Sequence, residues 1–197
     1  MPNNEADKAA MGEKTTRGIN TRLKKESEHN SIESLIAMLG GDDNLTHEDA
    51  RIALVKIGKP AVPSLIKLLK NERTHVRWEA AKALASLGDP SSAPALTNTL
   101  DDKVFDVRWI AAEGLIGLGV QGLIPVFEAL VSERKRDWLW EGAHHVIHDL
   151  AKGRLEIVLR PVLDAYDSPE PHLSVPLAAR KALEELKSMQ KSGLKFD

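Results

Sequence analysis

A short pattern of residues recurs 31 positions apart, and it constrains the fold more than any other feature of the sequence. The matched positions are a proline, an Arg-Trp pair, an Ala pair and a glycine: Pro63 with Pro94, Arg77-Trp78 with Arg108-Trp109, Ala80-Ala81 with Ala111-Ala112, and Gly88 with Gly119. A fixed period of this length indicates repeated units that stack in a row, because one such unit cannot bury its own apolar face.

Each unit is predicted to contain two helices. The first, such as Val62 to Leu69, has Pro63 in its first turn, where the missing N–H costs nothing. The second ends before Gly88, which can adopt the left-handed conformation that closes a helix. In this second helix the apolar residues share one face at 100° per residue: Val76, Ala80, Ala83, Leu84 and Leu87. We therefore expect an all-α fold, an α-solenoid of about five hairpins with the second helices on its concave side.

The repeat extends in both directions from the two best-matched units. Equivalent residues lie 30 positions earlier, and Pro125 continues the proline series. The predicted units are, in chain order, 31–60, 61–90, 91–121, 122–154 and 155–189. Residues 1–30 carry few large apolar side chains, so we expect a polar arm that is flexible or loosely docked. Residues 190–197 are assigned as a C-terminal tail.

The segments HVRWEAAKALASLGDPSSAPAL and DVRWIAAEGLIGLGVQGLIPVF resemble the HEAT-like repeats named in phycobilisome lyases. The shared features are a Val-Arg, an Ala-Ala and a Leu-Gly at the family spacing, and the resemblance covers roughly Ser31 to Met189. It implies a HEAT-type solenoid but not one function, since such repeats serve in lyase subunits, iron hydroxylases and adaptors. It also implies that Arg77 and Arg108 reach acidic groups of a neighbouring unit.

The composition argues against several classes of function. The chain has no Cys, which excludes disulfides, thiolate metal sites and a Cys nucleophile. A formal net charge of −2 and a pI near 6.4 give no overall field that attracts nucleic acid or a membrane surface. Since no signal peptide, membrane span, phosphate loop or Ser-His-Asp order is found, we expect a cytoplasmic protein without enzymatic activity or a cofactor.

Tryptophans mark the expected contact surface. A helical wheel places Trp78 opposite the core face of its helix with Lys82 beside it, and Trp109 in the same place one unit later. Asp106 and Glu113 lie next to Trp109. Because Trp is enriched in binding hot spots, these positions predict a site for a protein or peptide partner. The acidic neighbours favour a partner with basic residues, and the alternative is that each Trp packs over the neighbouring unit.

The fourth unit departs from the 31-residue spacing. Trp140 fits that spacing, but the register would bury His145 and Asp149 at high cost. A shift of one residue gives instead a continuous apolar stripe: Leu139, Ala143, Val146, Ile147 and Leu150. In that register Trp140 moves to the flank, and the inner side carries four residues: Trp138, Glu141, His145 and His148.

Three other functions compete with a binding scaffold or adaptor. Glu141, His145 and His148 are spaced so that they could converge on a metal ion, as in a metal-dependent enzyme. The family resemblance implies a phycobilin lyase-like subunit or chromophore carrier. Alkylpurine DNA glycosylases also use HEAT-like solenoids with tryptophans. Here, however, the predicted inner surface is more acidic than basic, so it would repel DNA phosphates: Glu48, Asp106, Glu113 and Glu141 against Lys82 and Lys181.

Overall fold

The computed structural model describes residues 31–41, 44–132 and 137–192, and over these ranges the chain forms helices and no strands. The helices are α1 (31–39), α2 (Asn44–Ile57), α3 (Val62–Leu68), α4 (Thr74–Leu87), α5 (Ala93–Thr99), α6 (Phe105–Gly117), α7 (Val120–Val131), α8 (Asp137–Leu150), α9 (Arg154–Tyr166) and α10 (Pro171–Lys191). Short 3-10 turns at Lys59–Ala61 and Pro90–Ser92 lead into α3 and α5. The predicted arm and residues 193–197 lie outside the described residues.

The predicted apolar stripes form the core. In α4, Val76, Ala80, Ala83 and Leu84 are each no more than 1% exposed. In α8 the shifted register is confirmed, because Leu139, Ala143, Val146 and Ile147 are fully buried while Trp138 is exposed. Trp140 is half-buried and packs against the edge of the core. Burial of each large aliphatic side chain contributes about 1.5–3 kcal/mol, so these stripes supply much of the stability of the array.

The hairpins stack so that their first helices form one row and their second helices form another. The second helices α4, α6 and α8 lie against one another in order, with α2 against α4, and the first helix α5 lies against α7. Small residues permit this close approach, since Ala80-Ala81 and Ala111-Ala112 are almost fully buried. The expected all-α solenoid of about five helical hairpins is confirmed.

The last hairpin departs from the expected order. We expected α10, as a second helix, to continue the row of α8. Instead α10 packs against α7 and α9, and α9 packs against α8. Tyr166 of α9 contributes to the contact with α8, since its ring meets Trp140 edge-on and its hydroxyl donates to the Trp140 carbonyl at 3.2 Å. With α9 held there, α10 takes the place beside α7, where Lys187 pairs with Glu128 at 2.9 Å.

The recurring glycine serves two different purposes. Gly88 follows α4 with φ 58° and ψ 28°, the left-handed conformation that closes a helix. Gly119 has a similar φ of 58° but a ψ of −131°, and it stands directly before α7. Side chains with a Cβ rarely adopt either conformation. One repeat position therefore ends a helix in one unit and starts the next helix in another.

Arg77 joins two neighbouring units. Its Nε donates to Asp102 Oδ2 at 2.6 Å and its Nη2 to Oδ1 at 3.0 Å, so the contact with the carboxylate is bidentate. Arg77 lies on α4, and Asp102 lies in the loop between α5 and α6 of the next unit. The acidic contact that the family resemblance implied is confirmed for Arg77. Among the described helices, none combines the length and hydropathy that a membrane crossing requires.

Candidate functional site

A cleft of about 470 Å³ opens between α6 and α8, two neighbouring helices of the second row. Its lining consists of aromatic, imidazole and small residues with one guanidinium and one carboxylate: Phe105, Arg108, Trp109, Ala112, Glu141, Gly142, His144, His145 and His148. Gly142 lets α8 lie close to Leu100, since an added Cβ would come within 3.0 Å of Leu100 Cδ2. We call this site the α6–α8 cleft.

Trp109 lies on the α6 side of the cleft and is 45% exposed. Its ring stacks on His145 of α8, with centroids 4.6 Å apart and planes 26° from parallel. His145 Nε2 lies 3.5 Å from Glu113 Oε1, so one imidazole contacts both a ring and a carboxylate of α6. Phe105, one turn before Trp109, contacts it with centroids 6.1 Å apart. These contacts fix the orientation of Trp109 while nearly half of its surface stays open.

Trp138, at the start of α8, is also 45% exposed. The guanidinium carbon of Arg108 lies 5.0 Å from the Trp138 ring centroid and 5.6 Å from the Phe105 ring centroid. Arg108 Nη1 also donates to the Asp102 carbonyl at 2.9 Å. Such a cation–π contact at an exposed site contributes about 0.5–1 kcal/mol. Arg108, the 31-residue equivalent of Arg77, therefore joins aromatic side chains of two units.

A second cavity, of about 510 Å³, lies on the other side of α8, between α8, α9 and the start of α10. Its lining is again rich in rings: Trp140, Glu141, His144, Tyr166, Pro171 and His172. Since Glu141 and His144 line both cavities, α8 forms the wall between them. We call this site the α8–α9 cavity.

Two titratable groups of the α8–α9 cavity are held in their neutral forms. Burial raises the pKa of Tyr166 well above its ordinary value. Burial also lowers the pKa of His144; the nearby His148 and His145 act in the same direction and outweigh the opposing effect of Asp167. The His144 ring meets the Tyr166 ring edge-on at 4.9 Å. Both side chains are therefore suited to hydrogen bonding and packing rather than to carrying charge at neutral pH.

The structure brings together only part of the contact surface predicted from the sequence. Trp109 lines the cleft, Glu113 reaches it through His145, and Trp138 reaches it through Arg108. The other three predicted residues lie outside its lining: Trp78, Lys82 and Asp106. Trp78 is half-buried with the Lys82 ammonium 4.4 Å from its ring centroid, and Asp106 is exposed on α6.

The metal candidates of the sequence do not form a ligand set. Glu141, His145 and His148 all line the α6–α8 cleft, but His145 is engaged with Trp109 and Glu113, and His148 faces the His144 ring at 6.2 Å. Within the described residues no group of three His, Cys, Asp or Glu is arranged to hold a metal ion.

Several residues of the two cavities were not predicted from the sequence: Phe105, Tyr166 and His172. Phe105 carried a usable signal, since it precedes Trp109 by four residues and so shares its helix face. Tyr166 is the single tyrosine of the chain. Its role depends on the exchange of α9 and α10, which the repeat spacing does not indicate.

Comparisons with known proteins agree with this architecture. The family model for HEAT repeats matches residues 32–116. A chain from the complex of CpcE and CpcF of phycocyanin lyase from Nostoc sp. PCC7120 is 22% identical, with 78% of this chain and 98% of that chain covered and a TM-score of 0.54. At that identity the likeness concerns the fold alone.

Two further solved structures are artificial proteins. An engineered protein is 20% identical, with 80% of this chain and 79% of that chain covered and a TM-score of 0.39. A designed armadillo repeat protein is 19% identical, with 85% and 87% covered and a TM-score of 0.41. Among curated proteins, no sequence matches this chain. Residues 32–116 therefore match HEAT repeats, and they form part of an α-solenoid of helical hairpins.

Proposed function

We propose that the chain is a non-enzymatic scaffold that binds a partner protein or peptide at the α6–α8 cleft. The observation that supports this proposal is the exposure of two tryptophans, Trp109 and Trp138, at 45% each, beside a cleft of about 470 Å³. Tryptophan buries a large rigid area and keeps an N–H donor, so it is enriched in binding hot spots. Their orientation is fixed before binding, which lowers the entropic cost of association.

The charges around the cleft favour a partner with basic residues. Glu113 and Glu141 are exposed, and Asp106 is exposed nearby on α6. The cationic Arg108 is half-buried and lies against the rings of Phe105 and Trp138. A Lys or Arg of the partner would meet these carboxylates, while an apolar side chain would enter the cleft. Such complementarity sets specificity and encounter rate more than affinity. The proposal places this interaction in the cytoplasm and requires no cofactor.

The test is affinity purification from the native host with the wild-type chain and the variants Trp109→Ala and Trp138→Ala. A matched control is Ile52→Ala, which removes an apolar side chain that is 52% exposed on α2. We expect a protein that the wild type and the control capture equally, and that each Trp variant binds about tenfold or more weakly. Trp variants that fold normally and keep the same partner would refute this surface.

The competing interpretation is that these tryptophans serve packing alone. Because each is nearly half exposed, we expect Trp109→Ala to lower the free energy of unfolding by about 1 kcal/mol or less. Urea denaturation measures this value. A loss of several kcal/mol would instead favour the packing role.

A second candidate function, a chromophore carrier or lyase-like subunit, is favoured by the two cavities that adjoin α8. Their volumes of about 470 and 510 Å³ lie within the range of ligand pockets, and rings line both. Co-expression with a bilin, followed by visible absorption of the purified chain, separates the two proposals. A chain that carries no bilin would exclude the carrier but leave protein binding untouched.

A further inference from the structure

Helices α9 and α10 share one face that no described helix covers. The face contains a groove of about 390 Å³ whose apolar lining comes from both helices, including Ile157, Pro161, Leu177, Ala178 and Ala182. Two of these side chains are strongly exposed, Ile157 at 78% and Leu177 at 58%. A contiguous apolar surface of this kind is unusual in a monomer and indicates an interaction site.

The small residues of α10 point to the same conclusion. In α4 and α6 both members of the Ala pair are buried, because a neighbouring hairpin covers them. In α10 the equivalents of this pair are Ala179, which is fully buried, and Arg180, which is exposed, while Ala178 on the groove is only half-buried. Small side chains of α10, Ala178 and Ala182, therefore line the groove, and a helix of a partner could approach it closely.

The charges beside the groove indicate what covers it. Lys181 and Glu185 lie one turn apart on α10, border the groove and are both exposed. Neither forms an ion pair with another described residue. If a second α10 is laid antiparallel across a two-fold axis between these positions, Lys181 of each copy faces Glu185 of the other. A two-fold interface requires this self-complementarity, whereas a parallel arrangement would oppose like charges.

We propose that the face formed by α9 and α10 is a two-fold interface between two copies of this chain. The two α10 helices run antiparallel, the groove and the exposed Ile157 and Leu177 become covered, and two Lys181–Glu185 pairs lie at the rim. The apolar contacts supply the affinity, and the ion pairs set the register and orientation. This surface shares no lining residue with the α6–α8 cleft, so the proposed interface does not depend on the proposed function.

The experiment measures the mass of the full chain in solution by light scattering and analytical ultracentrifugation over a range of concentrations. We expect the wild type to have twice the mass of one chain. In Lys181→Glu each interface gains two like-charged contacts, so we expect dimerisation about tenfold or more weaker. The double variant Lys181→Glu with Glu185→Lys restores opposite charges and should recover the wild-type dissociation constant. Lys67→Glu, an exposed lysine on α3, controls for the change in net charge.

A second variant, Leu177→Glu, tests the apolar part of the interface. It should be monomeric with unchanged circular dichroism, since Leu177 is 58% exposed in the single chain. Wild-type chain that remains monomeric at about 100 µM, a concentration at which a micromolar interface is filled, would overturn the proposal. So would a dimer that neither Lys181→Glu nor Leu177→Glu weakens, because the copies would then meet on another surface.

Discussion

Arg77 and Asp102 form the most enclosed ion pair among the described residues, with side chains 6% and 9% exposed. Besides its two bonds to Asp102, the guanidinium donates to the carbonyls of Asn71 and Glu72 at 2.9 and 3.0 Å. Loss of either partner would leave the other charge buried and unpaired, which typically costs about 3–5 kcal/mol. This pair therefore ties the second unit to the third.

The stability that Asp102 contributes should depend on pH. Burial raises the pKa of Asp102, but the hydrogen bonds from Arg77 and the Val104 N–H and the charges of Arg77 and Lys103 outweigh this effect, so the pKa lies below the ordinary value. A lowered folded-state pKa gives stability that is complete above the unfolded-state pKa of about 4 and is lost as the pH falls through the folded-state pKa.

We expect Asp102→Asn to lower the free energy of unfolding by about 3 kcal/mol at neutral pH. The difference from the wild type should shrink as the pH falls below about 4. Urea denaturation from about pH 7 to about pH 2 measures both effects, and Asp164→Asn, an exposed acid on α9, serves as the control. A difference that stays constant down to the lowest pH would contradict the role of the Asp102 charge.

Sequence reasoning succeeded at single residues where burial decides the outcome. The cost of burying His145 and Asp149 was enough to place Trp138 outward and Trp140 at the flank. It could not place Arg108, whose guanidinium lies against Trp138 of the next unit. That contact depends on the one-residue shift in α8, because the shift turns the Trp138 ring outward toward Arg108 instead of into the core.

At the scale of the helices, the close packing of α7 on α6 depends on Gly122. A Cβ at this position would overlap the backbone of Leu115, coming within 2.9 Å of its carbonyl carbon. The backbone atoms of Leu115 cannot move away by a change of rotamer, as side-chain atoms can. At Gly142 an added Cβ would meet the Leu100 side chain and no backbone atom, with Leu100 Cδ2 at 3.0 Å and Leu100 Cβ at 3.2 Å.

We therefore expect Gly122→Ala to destabilise the fold by about 3 kcal/mol or more, and Gly142→Ala by about 1 kcal/mol or less. Thermal and urea unfolding of the two variants give this comparison, with circular dichroism as the check on helix content. Equal losses for the two variants would show that α7 can move away from α6 without cost.

The exchange of α9 and α10 marks the limit of periodicity as a guide to packing. In α10 one apolar stripe faces the core, as Val175, Ala179 and Leu186 are fully buried. A stripe identifies which face of a helix is buried, but not which neighbour covers it. Here α9 contacts α8 through Tyr166 and Trp140, and the repeat pattern does not predict the tyrosine.

Over the whole molecule, the packing of α10 on α7 should link the last hairpin to the fourth unit in one cooperative unit. A terminal hairpin has a neighbour on one side only and usually opens at a lower free energy than the interior. Here α10 packs on α7 as extensively as on α9, which opposes separate opening. We expect buried α10 amides such as Ala179 and Leu186 to exchange with opening free energies within about 1 kcal/mol of those of Leu123 and Phe127 in α7. Native-state hydrogen exchange measures these values. If α9 and α10 open together well before α7, this coupling is absent.

The exchange of α9 and α10 also decides where the solenoid can be lengthened. Between the second and third units both rows continue, so a duplicated copy of residues 61–90 inserted after residue 90 would find a first helix and a second helix to stack on. In the last hairpin the first helix, α9, lies in the row of second helices, and the second helix, α10, lies in the row of first helices. A copy added after α10 would therefore place its first helix against a first helix of the wrong row. The molecule is thus modular in its middle but not at its last hairpin, which acts as a stop to growth by duplication.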